Sequence, residues 1–196
     1  MRDHARPGAK VLFVGINPGM RSALIGHHFA GYSNRFWKLL YDAGLVPEPI
    51  TCEEDGRLPE WGYGITNLVA RPTRSAGELS PSELRDARGR LVRKVARLRP
   101  RIVALVGLTV YRALFPSARG RVRPGPAPER LAGVPVWVLP NPSGRNANYR
   151  YEEMLAAFRA LRRAIAREPR RLRRTPAAVQ AARGGPGDVR SRTAPG

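Results

Sequence analysis

Asn17 is the residue whose type and setting most suggest chemistry. It stands in Gly15-Ile16-Asn17-Pro18-Gly19, a turn directly after the apolar run Val11 to Val14. Glycines let backbone groups approach a ligand closely, Pro18 stiffens the chain, and the Asn17 amide offers both a donor and an acceptor. Further on, Gly26-His27-His28-Phe29 adds an aromatic face and two imidazoles. Such a set suits a planar heterocycle such as a nucleobase. Phe29 would stack on it, the backbone of Gly15, Ile16, Pro18 and Gly19 would read its edge, and Asn17 would face the bond to be changed. A second polar turn, Asn141-Pro142-Ser143-Gly144-Arg145-Asn146, follows the apolar run Val134 to Leu139.

The chemistry is bounded by what these stretches lack. Neither Val11 to Trp37, nor Trp61 to Thr73, nor Val134 to Arg150 contains an Asp or Glu. An asparagine takes no proton at neutral pH, so Asn17 can orient a water but cannot be a general base. Cys52 is the single cysteine, which excludes an internal disulfide and a four-cysteine iron–sulfur cluster. No metal is expected at His27, His28 or Cys52. The first turn also lacks the Gly-x-Gly-x-x-Gly and Gly-Lys-Ser/Thr patterns of common nucleotide-binding folds.

Apolar runs must position these turns. Val11 to Val14 predicts a strand buried on both faces, and the carboxyl end of such a strand is where an open α/β sheet places its ligand. Ser33 to Tyr41 has the spacing of a half-buried helix capped by Ser33 or Asn34, with Phe36 and Trp37 in the core. Trp61 to Ala70 reads as a second strand ended by Arg71-Pro72-Thr73. Ser80-Pro81-Ser82-Glu83 has the pattern of a capping box, opening a helix that Pro100 terminates. Ile102 to Val106 predicts a strand and Thr109 to Phe115 a helix. Ser117 to Ala132 predicts a surface loop, Val134 to Leu139 the last strand, and Tyr151 to Arg167 a final helix. The alternation predicts an α/β three-layer sandwich with a central, mostly parallel four-stranded sheet flanked by helices. Its domain would span residues 10–168, between a flexible N-terminal tail over 1–9 and a basic tail over 169–196 too poor in apolar residues to order itself.

A formal net charge of +20 implies a polyanionic partner bound in a salt-dependent way, nucleic acid first. Arginine supplies nearly all of it, the lysines being only Lys10, Lys38 and Lys94, so a GC-rich genome is the competing explanation. The arginines on the third helix, Arg85 to Arg97, form either a DNA-facing surface or a solvated face. No run of about 18 apolar residues is present and the first residues lack a signal-peptide core. A cytoplasmic monomer with no membrane partner is expected.

Five segments in order carry a resemblance: Gly15-Ile16-Asn17-Pro18-Gly19, Gly26-His27-His28-Phe29, Asn34-Arg35-Phe36-Trp37-Lys38, Gly64-Ile65-Thr66-Asn67-Leu68-Val69 with Arg71-Pro72-Thr73, and Asn141-Pro142-Ser143-Gly144. Across Val11 to Ala166 the chain resembles the mismatch-specific uracil and thymine DNA glycosylases of the uracil-DNA glycosylase superfamily. The resemblance implies no metal or organic cofactor, double-stranded DNA containing uracil or mismatches as partner, Asn17 as the catalytic position and Phe29 as the stacking ring. The target nucleotide would leave the duplex, and the loop Asn141 to Asn146 would enter the vacated space with Arg145 as wedge, unless Arg145 is a solvated loop residue. Ser22 would either meet the base's 5-position, disfavouring thymine, or cap a helix. His28 would contact the flipped nucleotide's phosphate or position the base. Asn67 would lie near the pocket, in a direct or a loop-holding role, and Lys38 and Arg71 are candidate phosphate contacts. With no lysine placed near the pocket, strand cleavage through a Schiff base is not expected. The competing function is a catalytically silent nucleic-acid-binding protein of the same fold.

Overall fold

The computed structural model describes residues 1–167; the basic tail expected over 169–196 lies outside the described residues. Five strands form one sheet in the order β2-β1-β3-β5-β4: β1 (Val11–Gly15), β2 (Tyr63–Asn67), β3 (Ile102–Val106), β4 (Gly125–Leu131) and β5 (Val134–Leu139). The ladders β1·β2, β1·β3 and β3·β5 are parallel, whereas β4 runs antiparallel to β5 at one edge. The α/β sandwich is as expected, with one strand more than the expected four. Gly125-Pro126-Ala127-Pro128 reads as loop chemistry, but an edge strand tolerates prolines whose missing N–H faces away from the ladder, and the register of β4 shifts between Pro126 and Arg130.

Helices α1 (Met20–Ile25), α2 (Phe36–Asp42), α3 (Pro81–Leu98), α4 (Leu108–Leu114) and α5 (Tyr151–Arg167) complete the layers. The period of two along β1 divides the core. Val11 and Phe13 join Phe36, Leu39, Leu40, Met154 and Phe158 of α2 and α5, while Leu12 and Val14 join Leu91, Val95, Val110 and Leu114 of α3 and α4. Each fully buried Phe or Leu contributes about 1.5–3 kcal/mol. The Ser80 capping box opens α3 as its pattern predicts. Instead of a side-chain cap on α2, Asn34 Oδ1 accepts from the Phe36 N–H at 3.0 Å.

The first nine residues are docked along the sheet, which corrects the expectation of a loose tail. His4 N–H donates to Ile65 O (3.1 Å) and His4 O accepts from Ile65 N–H (2.7 Å), extending the sheet beyond β2. Asp3 accepts from the Thr66 hydroxyl and pairs with Lys94 of α3. No apolar pattern announces this, because the attachment is made of backbone and charged groups.

Candidate active site

Three distant stretches meet at the carboxyl end of the parallel strands. Gly15 and Asn67 are the last register pair of β1 and β2, and the pairing continues into the turns. Leu68 N–H donates to Gly15 O (2.8 Å), Val69 N–H to Ile16 O (2.9 Å) and Thr73 N–H to Pro18 O (3.2 Å), with a bridge between Gly19 and Thr73. From the other side, Arg35 N–H donates to Pro142 O at 2.9 Å. A Cβ on Gly144 would collide with Ser33, so the Asn141–Asn146 loop presses on the segment leading to α2.

Asn17 is half-buried in this arrangement. Its Nδ2 donates to Arg71 O at 3.0 Å and to Thr73 Oγ1 at 2.7 Å. A carbonyl can only accept, and the Thr73 hydroxyl already donates to Ser75 O at 2.7 Å, so both contacts fix which end of the Asn17 amide carries the hydrogens. Oδ1 makes no hydrogen bond among the described residues and remains as an acceptor. Arg71 itself is not free for phosphate. Its guanidinium grips Glu83 of α3 through Nε (2.7 Å) and Nη2 (3.0 Å), and Nη2 also reaches Glu78 O, which corrects the phosphate-contact expectation for its side chain. Lys38 is likewise paired, with Asp42.

Phe29 is held in an unusual conformation. Its φ is +50°, in the left-handed region that costs a non-glycine residue about 1–3 kcal/mol unless its surroundings impose it. All four flanking backbone groups are tied by side chains. His28 N–H donates to Asp55 Oδ2, Trp37 Nε1 donates to His28 O, Ala30 N–H donates to Ser22 Oγ, and Arg21 donates to Ala30 O. The ring stacks on Phe36, centroids 4.2 Å apart, and its Cζ would lie 3.2 Å from a Cβ on Gly15. Asn67 Oδ1 would lie 2.5 Å from that same Cβ, so the buried Gly15 is where ring and amide close on the backbone with no room for a side chain.

These bonds revise two expectations. Ser22 is buried inside α1 with its hydroxyl engaged by Ala30 N–H, so it braces the Phe29 loop and neither caps the helix nor presents its hydroxyl to a base. His28 is 1% exposed, and its Nδ1 lies 3.0 Å from Asp55 Oδ2, so its ring is turned into the Phe29 brace.

Asp55 went unnoticed in the sequence. All three histidines of the chain converge on it: His28 as above, His27 Nδ1 at 3.1 Å and His4 Nε2 at 3.2 Å. Burial pushes its carboxyl up, but hydrogen bonds from the side chain and backbone of His28 and from His27, with the charge of His4, outweigh this and hold it at about 2. The ligand atoms of His4, His28 and Asp55 lie within 4.8 Å of one another, the one set among the described residues with the makings of a metal site. Their contacts here are with one another, and through His28 the carboxylate braces the Phe29 loop. Only the acidic run Glu53-Glu54-Asp55 hinted at it, and no spacing relates it to residues 4, 27 and 28.

The Asn141–Asn146 loop is tied by its own side chains. Ser143 N–H donates to Asn141 Oδ1, Arg145 N–H to Ser143 Oγ, and Asn146 Nδ2 to Asn141 O. Arg145 is exposed, and its guanidinium makes no hydrogen bond among the described residues. A cavity of about 290 Å³ adjoins the Asn17 turn, lined in part by Pro18, Asn67, Leu68 and Lys94. Lys94 is therefore closer to the turn than expected, but its ammonium is engaged by Asp3 (2.5 Å) and Thr66 (2.8 Å). Another cavity, of about 460 Å³, opens beside Ile102, Pro135 and α5, at the opposite end of the sheet from these loops.

The family model described as Uracil DNA glycosylase superfamily matches residues 3–162, spanning every loop of this cluster. The chain belongs to the uracil DNA glycosylase superfamily. Superfamily membership makes it a glycosylase, a hydrolase that acts on uracil in DNA, and the five-stranded sheet with flanking helices is the corresponding fold. The match begins at Asp3, so the docked N-terminal segment is part of the superfamily domain. No helix among the described residues is long and apolar enough to cross a membrane.

Proposed function

We propose that the protein is a monofunctional, mismatch-specific glycosylase of base excision repair. It turns uracil, and thymine less well, out of G·U and G·T mismatched duplex DNA and leaves an abasic site. Extruding a nucleotide costs a few kcal/mol and less at a mismatch, which favours these sites. The observation that carries the reading is the Asn17 amide, with both hydrogens bound by Arg71 and Thr73 and only an acceptor oxygen left. An acceptor orients a water without deprotonating it. Asp55, the carboxylate that braces the Phe29 loop, has both oxygens occupied.

The reaction is therefore dissociative. The N-glycosidic bond breaks with its electron pair going to uracil, whose anion is stabilised by backbone groups of the Gly15–Gly19 turn while Phe29 stacks on the ring. Water held by Asn17 Oδ1 then adds to the oxocarbenium-like sugar and loses a proton to solvent. Rate depends on leaving-group quality, so turnover is slow. Gly15, Ile16, Pro18 and Gly19 line the base edge, and Asn141, Pro142, Ser143, Gly144 and Asn146 shape the loop that presents Arg145 to the vacated stack.

Labelled G·U, G·T, A·U and single-stranded uracil substrates, incubated with protein and then treated with alkali, test this directly. Cleavage should be strongest at G·U, weaker at G·T, and lost in Asn17→Ala. Full activity of Asn17→Ala, or binding without any abasic product from the wild type, would refute the assignment.

A further inference from the structure

We infer that the Arg71–Glu83 ion pair is the positioning device for Asn17, setting the direction of its acceptor oxygen. The inference rests on the reading of Asn17 as the water-orienting group. The chain of contacts is short. Asn17 Nδ2 donates to the main-chain carbonyl of Arg71, and the Arg71 side chain reaches back to α3 with two parallel bonds to the Glu83 carboxylate. Paired bonds of a planar guanidinium to a carboxylate fix orientation as well as distance, which a lysine ammonium cannot do.

Glu83 is itself immobilised. It is the third residue of the α3 capping box, accepting from Ser80 N–H at 2.9 Å while the Ser80 hydroxyl accepts from Glu83 N–H. The first turn of α3 therefore anchors Arg71, and α3 is fixed to the sheet through Leu91 and Val95 in the core shared with Val14. The second contact of the Asn17 amide is held in parallel, with Thr73 bonded to Ser75 O and Ser75 N–H donating to Glu78 Oε1. Glu78 O also accepts from Arg71, closing the loop. Arg71 and Pro72 are exposed, and between the backbone bonds of Val69 to Ile16 and of Thr73 to Pro18 the Arg71 peptide is held, among the described residues, by these side-chain bonds. The Glu83 carboxyl, held at about 2 chiefly by Arg71, stays ionised throughout the neutral range, so the pair keeps both charges there.

The test separates positioning from a phosphate contact. Glu83→Gln keeps the cap shape and removes the charge, Arg71→Lys keeps the charge and removes the fork, and Arg71→Ala removes both. Three quantities are measured on each: the single-turnover rate on G·U duplex, the affinity for a duplex with a non-cleavable uracil analogue across a salt series, and solvent exchange of the Asn17 side-chain amide by NMR, its signal identified by loss in Asn17→Ala. Misplacement of a reacting group by about 1 Å costs about a hundredfold, so losses of about ten- to a hundredfold in rate are expected. Affinity and salt slope should stay at wild-type values, and the Asn17 amide should exchange faster. Should Arg71→Ala fail to fold, Glu83→Gln and Arg71→Lys decide. Wild-type rate and amide exchange in both would overturn the inference. So would weaker binding at unchanged rate with a salt slope smaller by about one, which marks a phosphate contact. A wild-type protein that releases no uracil would instead defeat the proposed function itself.

Discussion

Gly15 and Asn67 face each other as the last pair of the β1–β2 ladder, so closely that a Cβ on residue 15 would fall 2.5 Å from Asn67 Oδ1 and 3.2 Å from the Phe29 ring. Gly15 is needed for space here, not for a positive φ. Gly15→Ala should displace the Asn67 amide and the ring together, costing about 1–3 kcal/mol of stability as an overpacked site. Base release should fall about a hundredfold from misplacement of the stacking face. Thermal melts and single-turnover rates check this; a variant with wild-type rate would show that the placement of ring and amide around Gly15 does not matter for base release.

Ser22 separates two explanations of base selectivity. Its hydroxyl satisfies the buried Ala30 N–H, so Ser22→Ala should destabilise the fold by about 1–3 kcal/mol, the cost of an unpaired buried donor. The ratio of G·U to G·T rates should stay near that of the wild type. A rise in G·T activity at unchanged stability would return Ser22 to the role of a thymine-excluding side chain.

The order of strands and helices was legible because burial on both faces writes apolar runs directly into β1 and β3, and the partly buried β5 is almost as apolar. The motif turns were legible for the same reason, since each follows one of those runs. What stayed hidden is held by polar groups with no period. β4 is an edge strand built from prolines and charges, and the N-terminal strap is attached by the His4 backbone and Asp3. Asp55 and Glu83 lie 27 and 12 residues from the segments they brace, His28 and Arg71. Arg71 illustrates the limit: an arginine beside a pocket in a basic chain suggests phosphate, and only its carboxylate partner reveals otherwise.

Asp55 makes acid stability a measure of the Phe29 brace. Its carboxyl sits near 2 in the folded protein against an ordinary 3.8, so the charged form is favoured by folding. For a depressed carboxyl this stability is fully present above the ordinary value and is lost as pH falls through about 2. A gap of that size on a side chain 2% exposed corresponds to about 2 kcal/mol. Melting temperature should drop between pH 4 and 2 in the wild type more steeply than in Asp55→Asn. The variant should already be less stable at neutral pH. Parallel curves would mean that the three histidines do not stabilise the ionised form.

In the proposed mechanism, Arg145 is the residue that reads the opposite strand. Its guanidinium is exposed and without a partner among the described residues, at the tip of a loop stiffened by Asn141, Ser143 and Asn146. An arginine entering the vacated stack can donate to the acceptors of the widowed guanine, whereas adenine presents a different edge. Good pairings of this kind discriminate by about 1–3 kcal/mol, so Arg145→Ala should lower the G·U over A·U rate ratio by about tenfold. Arg145→Leu should lower the same ratio while preserving more of the absolute G·U rate, because an apolar wedge fills the gap without reading guanine. Rates on G·U, A·U and single-stranded uracil for the three proteins check this. On a single strand there is no stack to fill, so all three should be alike; a selective loss there would place Arg145 on the uracil-bearing strand instead.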